Sequence, residues 1–206
     1  MGIGPFRELL ARAGFSSIAP RPLWERQKTG TPKWGQTKNA PKGTQIDPLS
    51  GLLQKTVFNH NVSKLVAKTK TPVGIILVKM DQFQDINDVY GYPIGDAIIR
   101  SVGGLITQIS RPGSLSGRME GVTFCIAIPN ASLPAARIFA EGLRRALSEL
   151  ESTSLPDQHE LTASFGVALH VPADRFDQSY QKACDALLNA QKKGYNKISL
   201  AMKDAA

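Results

Sequence analysis

From residue 47 onward, apolar residues recur in two rhythms. Short unbroken runs predict buried strands, and three-to-four-residue periods predict helices. The run Val73 to Val78, bounded by Pro72, predicts a buried strand over 73–80. Before it, Leu52, Leu53, Val57, Phe58, Val62 and Leu65-Val66 form one stripe, which predicts a helix over about 49–69 capped by Asp47 or Ser50. After it, Phe83 and Ile86 predict a short helix over 83–89, broken at Val89 to Pro93. A longer helix runs from Pro93 to about Ser110 through Ile94, Ile98-Ile99, Val102, Leu105-Ile106 and Ile109. Pro93 suits its first turn, where a missing N–H costs nothing, and Arg111-Pro112-Gly113 ends it.

A hairpin comes next, with arms over 114–118 and 122–128 and a turn at Glu120-Gly121. Ser132 caps a predicted helix over 133–151, a strand spans 161–170, and a final helix spans 174–193 with Gly194 as its stop. A short strand, Lys197 to Ala201, closes the sheet. The order α-β-α-α-β-β-α-β-α-β predicts an α/β (α+β) sandwich around a ferredoxin-like antiparallel sheet flanked by helices.

Residues 1–46 read differently from this domain of 47–206. Residues 3–15 have the spacing of one short amphipathic helix, and 16–46 are rich in Pro, Gly, Thr, Lys and Gln with little periodicity. Such a composition buries too little apolar surface to offset its ordering entropy, so a largely disordered or extended basic arm is expected. Trp24 and Trp34 stand out in it. They pack on the domain or stay loose, or they dock a protein partner. Nucleic-acid binding by basic residues with interleaved aromatics is a third reading. Of the net charge of +8, the arm holds +6 and the domain +2, so the basicity belongs to the arm.

Cys125 and Cys184 sit in apolar segments and read as reduced core residues. No apolar run reaches the ~18 residues of a membrane helix, and no signal-peptide core is present. A cytoplasmic protein without a membrane span is the expectation. His60, His159 and His170 lack metal-ligand spacing, and the chain carries no nucleophile motif and no phosphate-cradling glycine loop.

The stretch Ile75 to Asp96 packs a strand end, a short helix and a helix start into about twenty residues, with Asp81, Asp85, Asn87, Asp88 and Asp96 clustered there. Carboxyl ends of strands in α/β folds are where ligands bind. Asp81, Phe83, Ile86-Asn87-Asp88, Tyr90-Gly91 and Gly95-Asp96 resemble, without gaps, the nucleotide-binding core of the GGDEF family, the diguanylate cyclases. Asp47 to Leu52, Ser164 to Ala168 and Cys184 to Asn196 resemble three further family segments, so the likeness spans residues 47 to about 201. It implies the nucleotidyl-cyclase fold. It also implies that Asn87 and Asp96 read guanine, and that GTP sits on two divalent metals held by oxygen ligands.

The signature hairpin departs from the pattern. The family's Arg-x-Gly-Gly-Asp/Glu-Glu-Phe is matched by Arg118-Met119-Glu120-Gly121-Val122-Thr123-Phe124. One metal-binding acid falls on Val122, the next acid on Thr123, and the first-strand acid on Lys79. Glu120 stands where a glycine lets the backbone approach the triphosphate. The phosphate-holding Lys and Arg fall on Gln191 and Tyr195, with Lys192, Lys193 and Lys197 near in sequence. The upstream Arg-x-x-Asp inhibitory site for cyclic di-GMP reads Arg111-Pro112-Gly113-Ser114, keeping the arginine alone. Arg118 is kept, with Asp81 or Asp85 as its expected ion-pair partners, and Asn87 has a helix-capping alternative.

From these departures the expectation is a protein that is not an enzyme and holds no metal or cofactor: an inactive GGDEF-like module for protein interaction or regulation. The rival expectations are a guanine-nucleotide sensor without turnover, in which Lys79 supplies the lost metal charge, and a working diguanylate cyclase.

Overall fold

The structure, a computed structural model, describes residues 46–151, 161–172 and 174–201. The arm therefore falls almost wholly outside the described residues, and Trp24 and Trp34 with it. Among the described residues, six strands and five helices run in the order β1 (Leu53–Gln54), α1 (Lys55–Lys68), β2 (Val73–Met80), α2 (Phe83–Tyr90), α3 (Tyr92–Ile109), β3 (Leu115–Glu120), β4 (Thr123–Pro129), α4 (Leu133–Glu151), β5 (Ala163–His170), α5 (Phe176–Lys192) and β6 (Ile198–Leu200). They form one sheet in the order β1-β3-β4-β2-β5-β6. The four inner strands pair antiparallel as expected, and the two short edge strands pair parallel, β1 with β3 and β6 with β5.

β2 is central and covered on both faces, which is why its sequence is a continuous apolar run and not an alternation. Ile76, Val78 and Met80 face a core built with α2, α3 and α4. Val73, Ile75 and Leu77 face a second core built with Phe58 and Val62 of α1 and Phe176, Ala183 and Leu187 of α5. The result is a three-layer sandwich. No helix among the described residues is long and apolar enough to cross a membrane.

Most predicted bounds agree within two residues, and Ser132 caps α4 by accepting from the Ala135 N–H. The first helix is the exception. Asp47 caps no helix. Its Oδ1 accepts the Ser50 N–H at 2.7 Å and the Ser50 hydroxyl at 2.8 Å, folding residues 47–52 into a turn. Gly51 has φ +71°, a left-handed conformation that stops helical propagation. The chain then pairs Leu53–Gln54 with Gly117–Arg118 before α1 begins at Lys55.

Candidate functional site

The carboxyl end of β2 gathers the predicted site residues. Gly91 (φ +81°, ψ 160°) separates α2 from α3, and its N–H donates to the Asn87 carbonyl. The next turn brings Gly95 against Asn87: a Cβ built on Gly95 would lie 2.0 Å from Asn87 Oδ1. The absent side chain therefore makes room for the Asn87 carboxamide, and Asp96 is its immediate neighbour on α3. Asn87 and Asp96 are both half-buried. No hydrogen bond puts the Asn87 side chain on the end of α2, and α2 starts after Gln82 without a side-chain cap. Asp85 and Asp88 are exposed, the latter accepting from Gln84, which fits a solvated face.

Asp81 has a role that sequence reasoning missed. It is 3 % exposed. Its Oδ1 accepts the Ser164 hydroxyl at 2.7 Å, and its Oδ2 accepts the Thr162 hydroxyl at 3.0 Å and the Asn196 N–H at 2.9 Å. It thus ties β2 to the start of β5 and to the turn between α5 and β6. The sequence signals are its place one residue past the strand and its match to the family's core motif, and neither points to its three donors.

Arg118 pairs with neither Asp81 nor Asp85. Its Nη1 lies 3.1 Å from Asp47 Oδ1, and its Nε donates to the Gly121 carbonyl at 2.7 Å. It braces the hairpin against the turn before β1. Burial pushes the Asp47 carboxyl up, but Ser50 and the Arg118 guanidinium outweigh it and leave the carboxyl below its usual range.

In the hairpin, Glu120 and Gly121 are exposed. Gly121 has φ +52° with open space where a Cβ would sit. Val122 packs its side chain on the α2–α3–α4 core, and its carbonyl accepts the Met80 N–H. Thr123 is half-buried beside Lys79, and Phe124 is fully buried. Arg111 and Ser114 bound a turn closed by the Ser114 N–H on the Arg111 carbonyl. Cys125 and Cys184 are free thiols, the first buried and the second half-buried. An open, mostly apolar cavity of about 390 Å³ lies elsewhere, on the first half of α4 against Leu200.

The two divalent metals implied by the family do not fit the residues present. Lys79 and Val122 offer no side-chain oxygen at the two expected positions, and the Asp81 carboxylate is engaged by three donors. Among the described residues no group of three or more His, Cys, Asp or Glu side chains is placed to hold an ion.

Solved GGDEF domains share this fold. That of DgcB from Caulobacter crescentus, in complex with c-di-GMP, superposes with a TM-score of 0.72 at 24% identity, covering 79% of this chain and 98% of that one. Diguanylate cyclase SiaD from Pseudomonas aeruginosa, in complex with its activator SiaC, gives 0.70 at 24%, covering 76% and 61%. The sequence profile described as "Diguanylate cyclase, GGDEF domain" matches residues 44–197, and the chain belongs to that family. Diguanylate cyclase VdcA of Vibrio cholerae is 31% identical over 166 residues, covering 79% of this chain and 49% of VdcA. DgcM of Escherichia coli is 28% identical over 158 residues, covering 75% and 38%. The chain spans half or less of the length of these two relatives.

These matches correct the expectation of a non-enzyme. The relatives are enzymes by name, and two replaced ligand positions do not outweigh membership in their family.

Proposed function

We propose that this domain serves cyclic di-GMP signalling by binding a guanine nucleotide, GTP, at the carboxyl end of β2, as the substrate class of the diguanylate cyclases it resembles. The observation that carries this is the Asn87 carboxamide seated against Gly95 beside Asp96. A carboxylate accepts from the guanine N1–H and exocyclic amine, and a carboxamide donates to ring acceptors. Adenine has no N1–H and no 2-amino group, so it leaves the carboxylate without the paired donors that guanine offers, a mismatch that weakens binding.

The test is calorimetric titration of the full chain with GTP and ATP, alongside chromatographic detection of cyclic di-GMP after incubation with GTP. GTP is expected to bind at least about tenfold more tightly than ATP, with the preference lost in Asp96→Ala. Equal binding of the two nucleotides, or of neither, would sink the reading. The protein-partner role expected of the arm through Trp24 and Trp34 stays a separate proposal. Loss of a co-purifying protein on deleting residues 1–46 would support it, and an unchanged set would end it.

A further inference from the structure

The end of the sheet where metals find no ligands is rich in lysine. Lys79 is exposed on β2, side by side with Thr123 of β4 and Ser164 of β5. Side chains alternate across a strand, so Lys79 shares the face of Ile75 and Leu77, the one covered by α1 and α5. On that face α5 ends in Lys192, with Lys193 as its C-cap.

The chain then turns through Gly194, Tyr195 and Asn196, with φ of +98°, +56° and +44°. It returns Lys197 alongside β5, where the Lys197 carbonyl accepts the Phe165 N–H at 2.8 Å. Two non-glycine residues in left-handed conformation persist only where their surroundings hold them. Here the Asn196 N–H is held by Asp81, and the Asn196 side-chain oxygen by Arg144 Nη1 at 2.9 Å. Arg144 is itself gripped by both carboxylate oxygens of Glu141. The fold thus fixes a loop with Lys193 at its start, its Nζ 3.5 Å from Ser199 Oγ of β6, and Lys197 at its end, alongside β5 next to the position that pairs with Lys79. Two acids lie near: Asp81 is buried and spent on its three donors, and Glu120 is exposed on β3 opposite Thr123 of β4, on the far side of β4 from Lys79.

We propose that the polyphosphate of the guanine nucleotide is held here directly by lysine ammonium groups, Lys79 foremost and Lys193 and Lys197 beside it, without divalent cations. This rests on the reading of GTP as the ligand. Ammonium groups donate charge-assisted hydrogen bonds to phosphate oxygens and supply in place the positive charge that a metal would bring.

Titration of GTP into the full chain, once with EDTA and once with excess MgCl₂, tests it. Binding in EDTA is expected within about threefold of that in MgCl₂, weakening as salt rises. Lys79→Gln and Lys197→Gln are each expected to weaken GTP binding in EDTA about tenfold, with circular dichroism and melting unchanged because both side chains are exposed. GTP binding that appears only with MgCl₂ would overturn the metal-free mode and leave the guanine-nucleotide reading standing. So would Lys79→Gln binding as tightly as the parent chain. No binding in either buffer would overturn both.

Discussion

Removing the Asp81 carboxylate probes how the site end of the sheet is held together. Its three donors come from elements far apart in sequence: Thr162 and Ser164 at the start of β5, and the Asn196 N–H beyond α5. Asp81→Ala leaves them without their acceptor. A buried donor so orphaned costs about 1–3 kcal/mol. The two hydroxyls can rotate toward other acceptors, and the Asn196 N–H cannot. Weighting the N–H fully and the hydroxyls at about 0.5 kcal/mol each gives a loss of about 2–4 kcal/mol. Asp81→Asn keeps the volume and one carbonyl oxygen, which the Thr162 hydroxyl and Asn196 N–H share on the Oδ2 side. Its amide then donates to Ser164 Oγ, and the cost falls to about 1–2 kcal/mol, the loss of charge assistance. Urea unfolding followed by circular dichroism at neutral pH measures both, with the slope checked for constancy. Amide exchange at Asn196 is expected to speed up in both variants. A loss under about 1 kcal/mol for Asp81→Ala at unchanged slope would refute the assignment of Asp81 as the tie.

Two further substitutions separate the site from the frame. Gly95→Ala places a methyl 2.0 Å from Asn87 Oδ1, the end of a flexible side chain, so Asn87 must rotate while the fold changes by less than about 1 kcal/mol. GTP affinity is then expected to drop about tenfold by calorimetry, and retained affinity with a displaced Asn87 would remove Asn87 from guanine recognition. Asp47→Ala is expected to cost about 1–2 kcal/mol in urea unfolding, since Asp47 joins Ser50 to Arg118. Because the folded carboxyl titrates below the usual 3.8, its contribution is fully present above that value and is lost as pH falls below it. Parent and Asp47→Ala stabilities should therefore converge in acid. A gap that stays constant down to about pH 2 would exclude the ionised pair as its source.

The strands and long helices were legible because each carries its own pattern: the unbroken run of β2, the period of α3, Ser132 ahead of α4. β1 was not, because two residues carry no period and pair only through contact with β3, over sixty positions away. The start of α1 was misplaced for a related reason. Asp47 and Ser50 are good caps by type, and only the left-handed Gly51 shows that they close a turn on each other. Arg118 had nearer acids to choose from in the motif, yet the fold gives it Asp47, 71 positions away.

Identities at the site were readable one by one, and their surroundings were not. Lys79 and Val122 stand out in the sequence as replacements for acids, and taken singly they argue for loss. The structure changes their weight without changing their identity. Val122 points into the core and serves the hairpin through its carbonyl. Lys79 stands on a face that the Asp81–Asn196 tie supplies with further cations. That tie joins positions 81, 144, 164 and 196, which no local period connects, and Tyr195 holds a conformation that its residue type would not announce. A ligand lost from one position is therefore a statement about that position. What the site binds depends on the charges the fold carries to it, and here Lys193 and Lys197 flank a braced turn.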